Sequence, residues 1–263
     1  FCGYNTYAEQ LLDKLLPLLR EQAVTVLLRP ELRPTEPLRQ LLAHHPWVKT
    51  VEIPGLPVLG PGRDWWDRRH KGWLAREGVA LYHCLHSNPL RHTGVWSTAT
   101  LHDLSALALP GYFARGAWLK RAYLRWAYRA SLAACARVIC VSQHTANDAQ
   151  RLLGLPPGQL TVIPEAARSV TAALRTPKAA QGNGSHAPFF LAVGTRSHKN
   201  LPRVMQAFAR VVERHPKARL EICGTLTSEL QAAHRALPFD ARAAITLHGV
   251  VPEAQLQEWY RNC

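Results

Sequence analysis

Short apolar runs alternate with helical patterns along most of this sequence, and the alternation limits the folds it can adopt. FFLAV (189–193) and VICV (138–141) have the composition of buried strands, and each leads through a polar turn into an amphipathic segment. Strands that alternate with helices pair in parallel, because each helix returns the chain to the same edge of the sheet. The sequence therefore predicts an α/β protein built from Rossmann-like, doubly wound parallel sheets.

The alternation stops between residues 168 and 188, where Gly, Asn, Ser and Pro accumulate and the periodicity is lost. Such a composition is typical of a linker. We therefore expect an N-terminal domain over 1–167, a linker over 168–188 and a C-terminal domain over 189–263. The second domain would hold three strands, too few for a sheet with its own core, and no strand precedes the turn at Gly3. These patterns predict a chain that lacks its first strand and the later part of its second domain.

The stretch 189–208 has the pattern of a strand that ends at Gly194, a polar loop and an amphipathic helix. The free N–H groups at the start of such a helix carry a partial positive charge that suits a phosphate. Arg196, His198 and Lys199 would add cationic side chains there, which is the chemistry needed to hold a diphosphate without a metal ion. An ordinary strand-to-helix turn with solvated basic residues is the alternative, since the loop has neither the G-x-G-x-x-G nor the Walker A pattern.

The formal net charge of +14 predicts attraction to an anionic partner, which could be nucleic acid, an acidic membrane surface or a phosphorylated substrate. The six cysteines are scattered without a Cys-x-x-Cys pair, and several lie in apolar runs. This distribution predicts free, buried thiols in a reducing compartment. No apolar run approaches the roughly 20 residues that span a bilayer, and no signal peptide opens the chain, so the sequence predicts a cytoplasmic protein.

Residues 115–135 have the pattern of a basic amphipathic helix. At about 100° per residue, one side collects arginine and tryptophan, which suit an anionic membrane surface. The residues of this predicted surface are Arg115, Trp118, Arg121, Arg125 and Arg129. The opposite side, with Leu119, Tyr123 and Ala127, is predicted to pack against the domain. A packed helix with a solvated basic face is the alternative.

Two histidine-containing segments could carry chemistry. The segment His83–His86, with His92 nearby, has the composition of a zinc site, but thirteen histidines make chance clusters common and no second ligand pair has zinc-like spacing. The sequence therefore predicts no metal site. His102 follows a strand rich in β-branched residues, and ligands bind at the carboxyl ends of strands in doubly wound sheets. It is expected either to contact a ligand there or to form a hydrogen bond within its loop.

Four segments together resemble retaining glycosyltransferases of the GT-B architecture, family 4 (glycosyl transferases group 1): VGTRSHKNL (193–201), TATLHDL (98–104), VICVSQHT to VIPEA (138–166) and GVVPEAQL (249–256). The resemblance implies two Rossmann-like domains. It also implies metal-independent transfer of a hexosyl residue, of the mannosyl or rhamnosyl type, from a nucleotide-diphosphate sugar to a glycan or lipid-linked acceptor in cell-surface polysaccharide synthesis. No cofactor is implied beyond that donor, and the enzyme would lie at the inner face of the plasma membrane.

The resemblance further implies roles for individual residues. Arg196 and Lys199 would hold the donor diphosphate, and the backbone at Gly194 and Gly3 would approach the same phosphates. His102 would be the catalytic residue that orients the donor. Two further positions would lie near the nucleotide base: Gly224 and Val250.

The sequence departs from the family pattern in two places. Glu165 and Ala166 stand where the family has Asn-Gly. The family's acidic E-x7-E segment, which follows the GVVPEAQL segment in the family pattern and contacts the donor sugar, does not occur in residues 257–263. The second departure predicts that residues 1–263 alone are inactive or nearly so. The alternative function is a non-catalytic basic protein that binds nucleic acid or an anionic membrane. It predicts steeply salt-dependent nucleic-acid binding, although no nucleic-acid motif occurs, whereas a transferase is stabilised by a nucleoside diphosphate.

Overall fold

The computed structural model describes residues 3–28, 34–53, 60–109, 112–113, 117–166, 189–194 and 199–263. Contacts divide the chain into two compact units, Phe1–Arg168 and Ser169–Cys263. All strand pairs among the described residues are parallel, and helices alternate with the strands. The α/β class predicted from the sequence is therefore confirmed.

In the described part of the first unit, the strands form two sheets. One is the pair β1 (Thr25–Leu28) and β2 (Lys49–Glu52). The other contains β3 (Leu81–Cys84), β4 (Trp96–Leu101), β5 (Arg137–Cys140) and β6 (Leu160–Val162). Its strands pair in chain order, β3-β4-β5-β6. Because all four run in the same direction, their carboxyl ends share one edge of the sheet.

Seven α-helices accompany these strands in the described residues of the first unit: α1 (Gly3–Leu15), α2 (Glu36–His44), α3 (Pro61–Arg69), α4 (Trp73–Arg76), α5 (Ser105–Ala108), α6 (Trp118–Ala133) and α7 (Gln143–Leu153). Short 3-10 helices cover Leu16–Leu19 and Pro157–Gln159. The sequence pattern predicts one helix over 64–76, but the structure divides it into α3 and α4. The division occurs because Gly72 adopts a left-handed conformation and its N–H donates to the carbonyl of His92 at 2.7 Å.

The first turn of α7 is capped by a serine side chain. The Ser142 side chain accepts a hydrogen bond from the backbone N–H of Thr145 at 3.1 Å. This N-cap satisfies one of the helix's unpaired donors. At the other end, Gly154 takes the left-handed conformation that commonly ends a helix.

The core of the first unit lies between the four-stranded sheet, α6 and α7. Leu101, Leu132 and Val138 are fully buried in it. Burial of one such aliphatic side chain stabilises the fold by roughly 1.5–3 kcal/mol. This packing holds β4 and β5 rigidly and fixes the loops that follow them.

The rotation of α6 differs from the sequence-based expectation. Its buried residues are Leu124, Ala127, Ser131 and Leu132, whose spacing forms a core-facing stripe. Leu119, predicted to pack, is 64% exposed. The prediction followed the arginines, whereas the small and apolar residues of the second half of the helix set its contact with the sheet.

The second unit contains a three-stranded sheet in the described residues, with β7 (Phe189–Val193), β8 (Arg219–Cys223) and β9 (Ile245–Gly249) paired in chain order. Its helices are α8 (Leu201–Arg214), α9 (Ser228–Arg235), α10 (Phe239–Ala243) and α11 (Glu253–Asn262). The expectation that three strands cannot form a core is wrong. Met205 of α8 and Ile222 of β8 are fully buried, because α8 contacts α9 and α10 beside the sheet.

Candidate functional site

The loops that follow β3–β6 meet at the carboxyl edge of the four-stranded sheet. Leu85 follows β3, His102 follows β4, and Ser142 follows β5, while Glu165 lies shortly after β6. This edge is where ligands bind in open parallel sheets. The sequence-based expectation for the position of His102 therefore agrees with the structure.

His102 has a hydrogen-bond partner at each ring nitrogen. Nδ1 lies 2.6 Å from Oε1 of Glu165, and Nε2 lies 3.1 Å from the carbonyl oxygen of Leu85. The Leu85 carbonyl can only accept a hydrogen bond, so Nε2 of His102 donates to it. The Tyr7 ring packs edge-on against the imidazole, with centroids 4.6 Å apart. The Thr145 hydroxyl donates to the His102 carbonyl at 3.1 Å and fixes the backbone.

A hydrogen-bond chain runs from Tyr7 into the sheet. The Tyr7 hydroxyl lies 3.1 Å from Oγ1 of Thr100, which lies 3.2 Å from Nε2 of His83. Nδ1 of His83 lies 2.6 Å from Oγ1 of Thr98, whose hydroxyl donates to the Tyr82 carbonyl. Burial lowers the pKa of His83, so its neutral form is favoured. Nδ1–H then donates to Thr98, Nε2 accepts from Thr100, and Thr100 accepts from the Tyr7 hydroxyl.

These contacts explain the histidine cluster that suggests zinc in the sequence. Both nitrogens of His83 bond to threonine hydroxyls, and Nδ1 of His86 accepts the backbone N–H of Asn88 at 3.1 Å. Burial raises the pKa of the Cys84 thiol, which disfavours the thiolate that zinc requires. Within the described ranges, no group of three His, Cys, Asp or Glu side chains could hold a metal ion.

Sequence reasoning did not identify Tyr7, His83 or Glu165 as parts of this site. Glu165 carried a signal, because it replaces the Asn of the family pattern. Tyr7 carried none, since its contacts with Thr100 and His102 depend on how α1 packs beside β4.

The predicted membrane-facing residues of α6 divide into two groups. Arg125 and Arg129 are exposed, and Trp118 is 69% exposed. Arg121 instead donates from Nη2 to the backbone carbonyl of Leu107 in α5 at 2.5 Å. This nitrogen therefore already has a partner within the first unit. Arg115 lies outside the described residues. No helix in the described part of the chain is both long and apolar enough to cross a membrane.

In the second unit, the strands β7, β8 and β9 end in glycines with positive φ at one edge of the sheet. We name Gly194 (φ 90°), Gly224 (φ 139°) and Gly249 (φ 71°) the glycine edge. The N–H of Gly194 donates to the carbonyl of Cys223 at 2.9 Å, and that of Gly224 to Gly249 at 2.7 Å. A Cβ on Gly194 would lie 3.6 Å from Cε of Lys199. The structure therefore brings together Gly194, Gly224 and Lys199, three of the predicted site residues.

The remaining predicted positions lie near backbone termini or outside the described residues. Gly3 is the first residue of α1. Val250 follows Gly249 directly and is 72% exposed. Asn200 precedes α8 in a left-handed conformation (φ 51°), and its side chain makes no capping hydrogen bond to the first turn. Arg196 lies outside the described residues, so its predicted role stays a prediction.

Comparison with solved structures supports the fold. A glycosyltransferase from Rickettsia africae has a TM-score of 0.61 at 11% identity, with 98% of this chain and 67% of that chain covered. HepE of Anabaena, in complex with UDP and glucose, has a TM-score of 0.54 at 15% identity, with 95% and 66% covered. A Listeria monocytogenes protein assigned as a UDP-N-acetylglucosamine 2-epimerase has a TM-score of 0.53 at 10% identity, with 98% and 70% covered.

These similarities establish the GT-B-like fold and not the reaction, since transferases and an epimerase share it. The chain spans about two thirds of the length of these proteins. No curated protein matches the sequence. The sequence profile of Glycosyltransferase Family 4 matches residues 3–167, which is more than half of the chain. The chain therefore belongs to Glycosyltransferase Family 4.

Proposed function

We propose that the protein transfers a hexosyl residue from a nucleotide-diphosphate sugar to a glycan or lipid-linked acceptor, with retention of the anomeric configuration. The observation that carries this proposal is the glycine edge beside Lys199. Three strand ends without side chains allow a flat nucleotide to approach the backbone, and a cation stands next to them. Membership of Glycosyltransferase Family 4 supports glycosyl transfer over other reactions of nucleotide sugars that could use such a site.

The donor diphosphate would be held by charge and by backbone groups. Lys199 supplies a cation next to Gly194, and Arg196 supplies a guanidinium that can bind phosphate oxygens in bidentate fashion. The N–H groups at the start of α8 add a partial positive charge. Together these groups would neutralise the leaving diphosphate, where negative charge develops in the transition state. No metal ion is required by this arrangement.

Other positions would contribute less directly. Gly224 and Val250 would lie against the nucleotide base, and Gly3 would allow close approach to the phosphates at the start of α1. His102 would orient the sugar at the carboxyl edge of β3–β6. The sugar would be of the mannosyl or rhamnosyl type.

We further propose that α6 contacts the anionic inner face of the membrane, where a lipid-linked acceptor lies. Exposed Trp118 and Leu119 stand on the same helix as exposed Arg125 and Arg129, and each basic residue at such a surface contributes about 1 kcal/mol. Vesicles of phosphatidylglycerol should therefore bind the protein, and vesicles of phosphatidylcholine should not. Charge reversal of both arginines should weaken binding more than about tenfold, while Arg219→Glu in the second unit should not. Equal binding to both vesicles would refute the proposal.

The test of the reaction is a donor screen with the purified product of the whole gene, because residues 1–263 alone are expected to be inactive or nearly so. UDP-, GDP- and dTDP-activated hexoses are supplied with simple glycoside acceptors, and the released nucleoside diphosphate is measured. Proton NMR of the product then gives its anomeric configuration. Retention is expected. An inverted product would contradict the retaining mechanism, and an epimerised nucleotide sugar without transfer would favour the epimerase chemistry of similarly folded proteins.

A further inference from the structure

The two side chains of the His102–Glu165 contact differ in their exposure to solvent. The His102 side chain is only 10% exposed, while the Glu165 side chain is 44% exposed. An incoming molecule therefore meets the carboxylate before it meets the imidazole. The imidazole ring of His102 is also fixed by its hydrogen bond to the Leu85 carbonyl and by its edge-on contact with the Tyr7 ring. His102 therefore holds the Glu165 side chain in place.

The carboxylate keeps unused capacity to accept hydrogen bonds. A carboxylate offers about four lone-pair positions on two oxygens. Among the described contacts of the Glu165 side chain, the one to His102 involves Oε1 alone.

The sign of the charge restricts what this carboxylate can bind. A phosphate would be repelled by Glu165, since like charges a few ångströms apart interact unfavourably. Cationic groups, amides and hydroxyl groups can all donate to a carboxylate, and hydroxyl groups are the donors that the sugars of the proposed reaction carry. Adjacent hydroxyls on a ring can bind both oxygens of one carboxylate. This chemistry matches a pyranose.

We propose that Glu165 is a specificity-determining residue whose carboxylate accepts hydrogen bonds from adjacent hydroxyl groups of a pyranose, with His102 as its positioning residue. The inference rests on the proposed transferase function and deepens it. The pyranose is either the sugar of the donor or that of the acceptor. In either case His102 orients the sugar through Glu165.

The first experiment compares ligands with and without a sugar. Isothermal titration measures the binding of UDP, UDP-glucose, GDP and GDP-mannose to the wild type, Glu165→Gln and Glu165→Asp. If the donor sugar is bound, Glu165→Gln should weaken the nucleotide sugars about ten- to a hundredfold and leave the nucleoside diphosphates unchanged. Glu165→Asp keeps the charge and should restore part of the loss. If Glu165 had only a structural role, Glu165→Gln would change the affinity for nucleotide sugars and for nucleoside diphosphates equally.

The second arm tests the acceptor. Methyl α-glucopyranoside and methyl α-mannopyranoside are titrated against the same variants, with Glu77→Gln, an exposed glutamate of the same unit, as a matched control. If Glu165 binds the acceptor sugar, Glu165→Gln should bind the methyl glycosides more weakly than the wild type does and should bind the nucleotide sugars as tightly as the wild type does. Unchanged binding of every sugar by Glu165→Gln would overturn the inference. If the wild type binds neither nucleotides nor nucleotide sugars, the proposed function fails first.

A third measurement tests the positioning by His102 without any ligand. Proton NMR follows the hydrogen bond between Nδ1 of His102 and Oε1 of Glu165 through the downfield signal of its proton. This signal should be present in the wild type and in Glu77→Gln, and it should be shifted or lost in Glu165→Gln. An unchanged signal in Glu165→Gln would overturn the positioning role.

Discussion

Asp67 is a completely buried carboxylate whose charge is balanced by two arginines. It accepts hydrogen bonds from Nε of Arg63 at 2.9 Å and from Nε of Arg91 at 3.0 Å. Arg63 also donates to the Pro89 carbonyl, so the network joins α3 to the loop before β4. Burial raises the pKa of Asp67, and the charge and hydrogen bond of Arg63 oppose this effect. Because both charges lost their water on burial, the intact network adds little net stability. Removal of one partner is nevertheless strongly destabilising, since it leaves the other charge buried and uncompensated.

Asp67→Asn keeps the shape of the side chain and removes its charge. Breaking a buried ion pair by removing one partner costs about 3–5 kcal/mol. A result near the lower end is expected, because Arg91 keeps its contact with Asp64. For a unit of this size, each kcal/mol lowers Tm by roughly 2–4 °C. With a cost of about 3 kcal/mol, the Tm of the first unit should therefore fall by about 6–12 °C.

Tryptophan fluorescence during heating is a suitable assay, since seven of the eight tryptophans belong to the first unit and only Trp259 to the second. Glu36→Gln is the control. It removes an exposed partner of Arg39 and should leave the transition unchanged. If Asp67→Asn melts within about 2 °C of the wild type, the network does not stabilise the first unit as reasoned.

Three further predictions concern other parts of the chain. Ser142→Ala removes the cap on Thr145 and should cost about 1 kcal/mol in denaturant unfolding; an unchanged midpoint would contradict the cap. Cys263 is exposed, whereas burial raises the pKa of Cys135 to about 12. Maleimide labelling followed by mass spectrometry should modify the former and spare the latter in the native protein. Burial lowers the pKa of His83, so the native state resists its protonation. Stability should fall as pH drops below about 6.5, the ordinary value, and this fall should be smaller in His83→Gln; identical pH profiles would refute the reasoning.

Local patterns were sufficient to predict most of the fold. The bounds predicted for β7, residues 189–193, agree with the structure, because an apolar run there ends at a clear turn residue, Gly194. The break between α3 and α4 could not be predicted, since it depends on the contact of Gly72 with His92. The division of the first unit into two sheets was equally hidden, because a sequence identifies strands and not their hydrogen-bonded neighbours.

The candidate site was predicted only in part, for the same reason. His102 could be placed at a strand end, and Gly194 could be placed at a turn. The partner of His102 could not be named, since Glu165 lies 63 residues away in sequence. Gly249 was overlooked as a member of the glycine edge, although it ends β9.

The binding of a nucleoside diphosphate tests the central proposal most directly. Thermal unfolding is followed with UDP, GDP and dTDP for the wild type, for the double variant Arg196→Ala with Lys199→Ala, and for Lys217→Ala as an exposed lysine control in the second unit. At a hundredfold excess over Kd, a bound ligand stabilises the native state by about 2.7 kcal/mol. We expect at least one of these ligands to raise the Tm of the wild type and of the control variant. The Tm of the double variant should not change with any of them. No shift with any of them, or an equal shift in the double variant, would contradict a diphosphate site at the glycine edge.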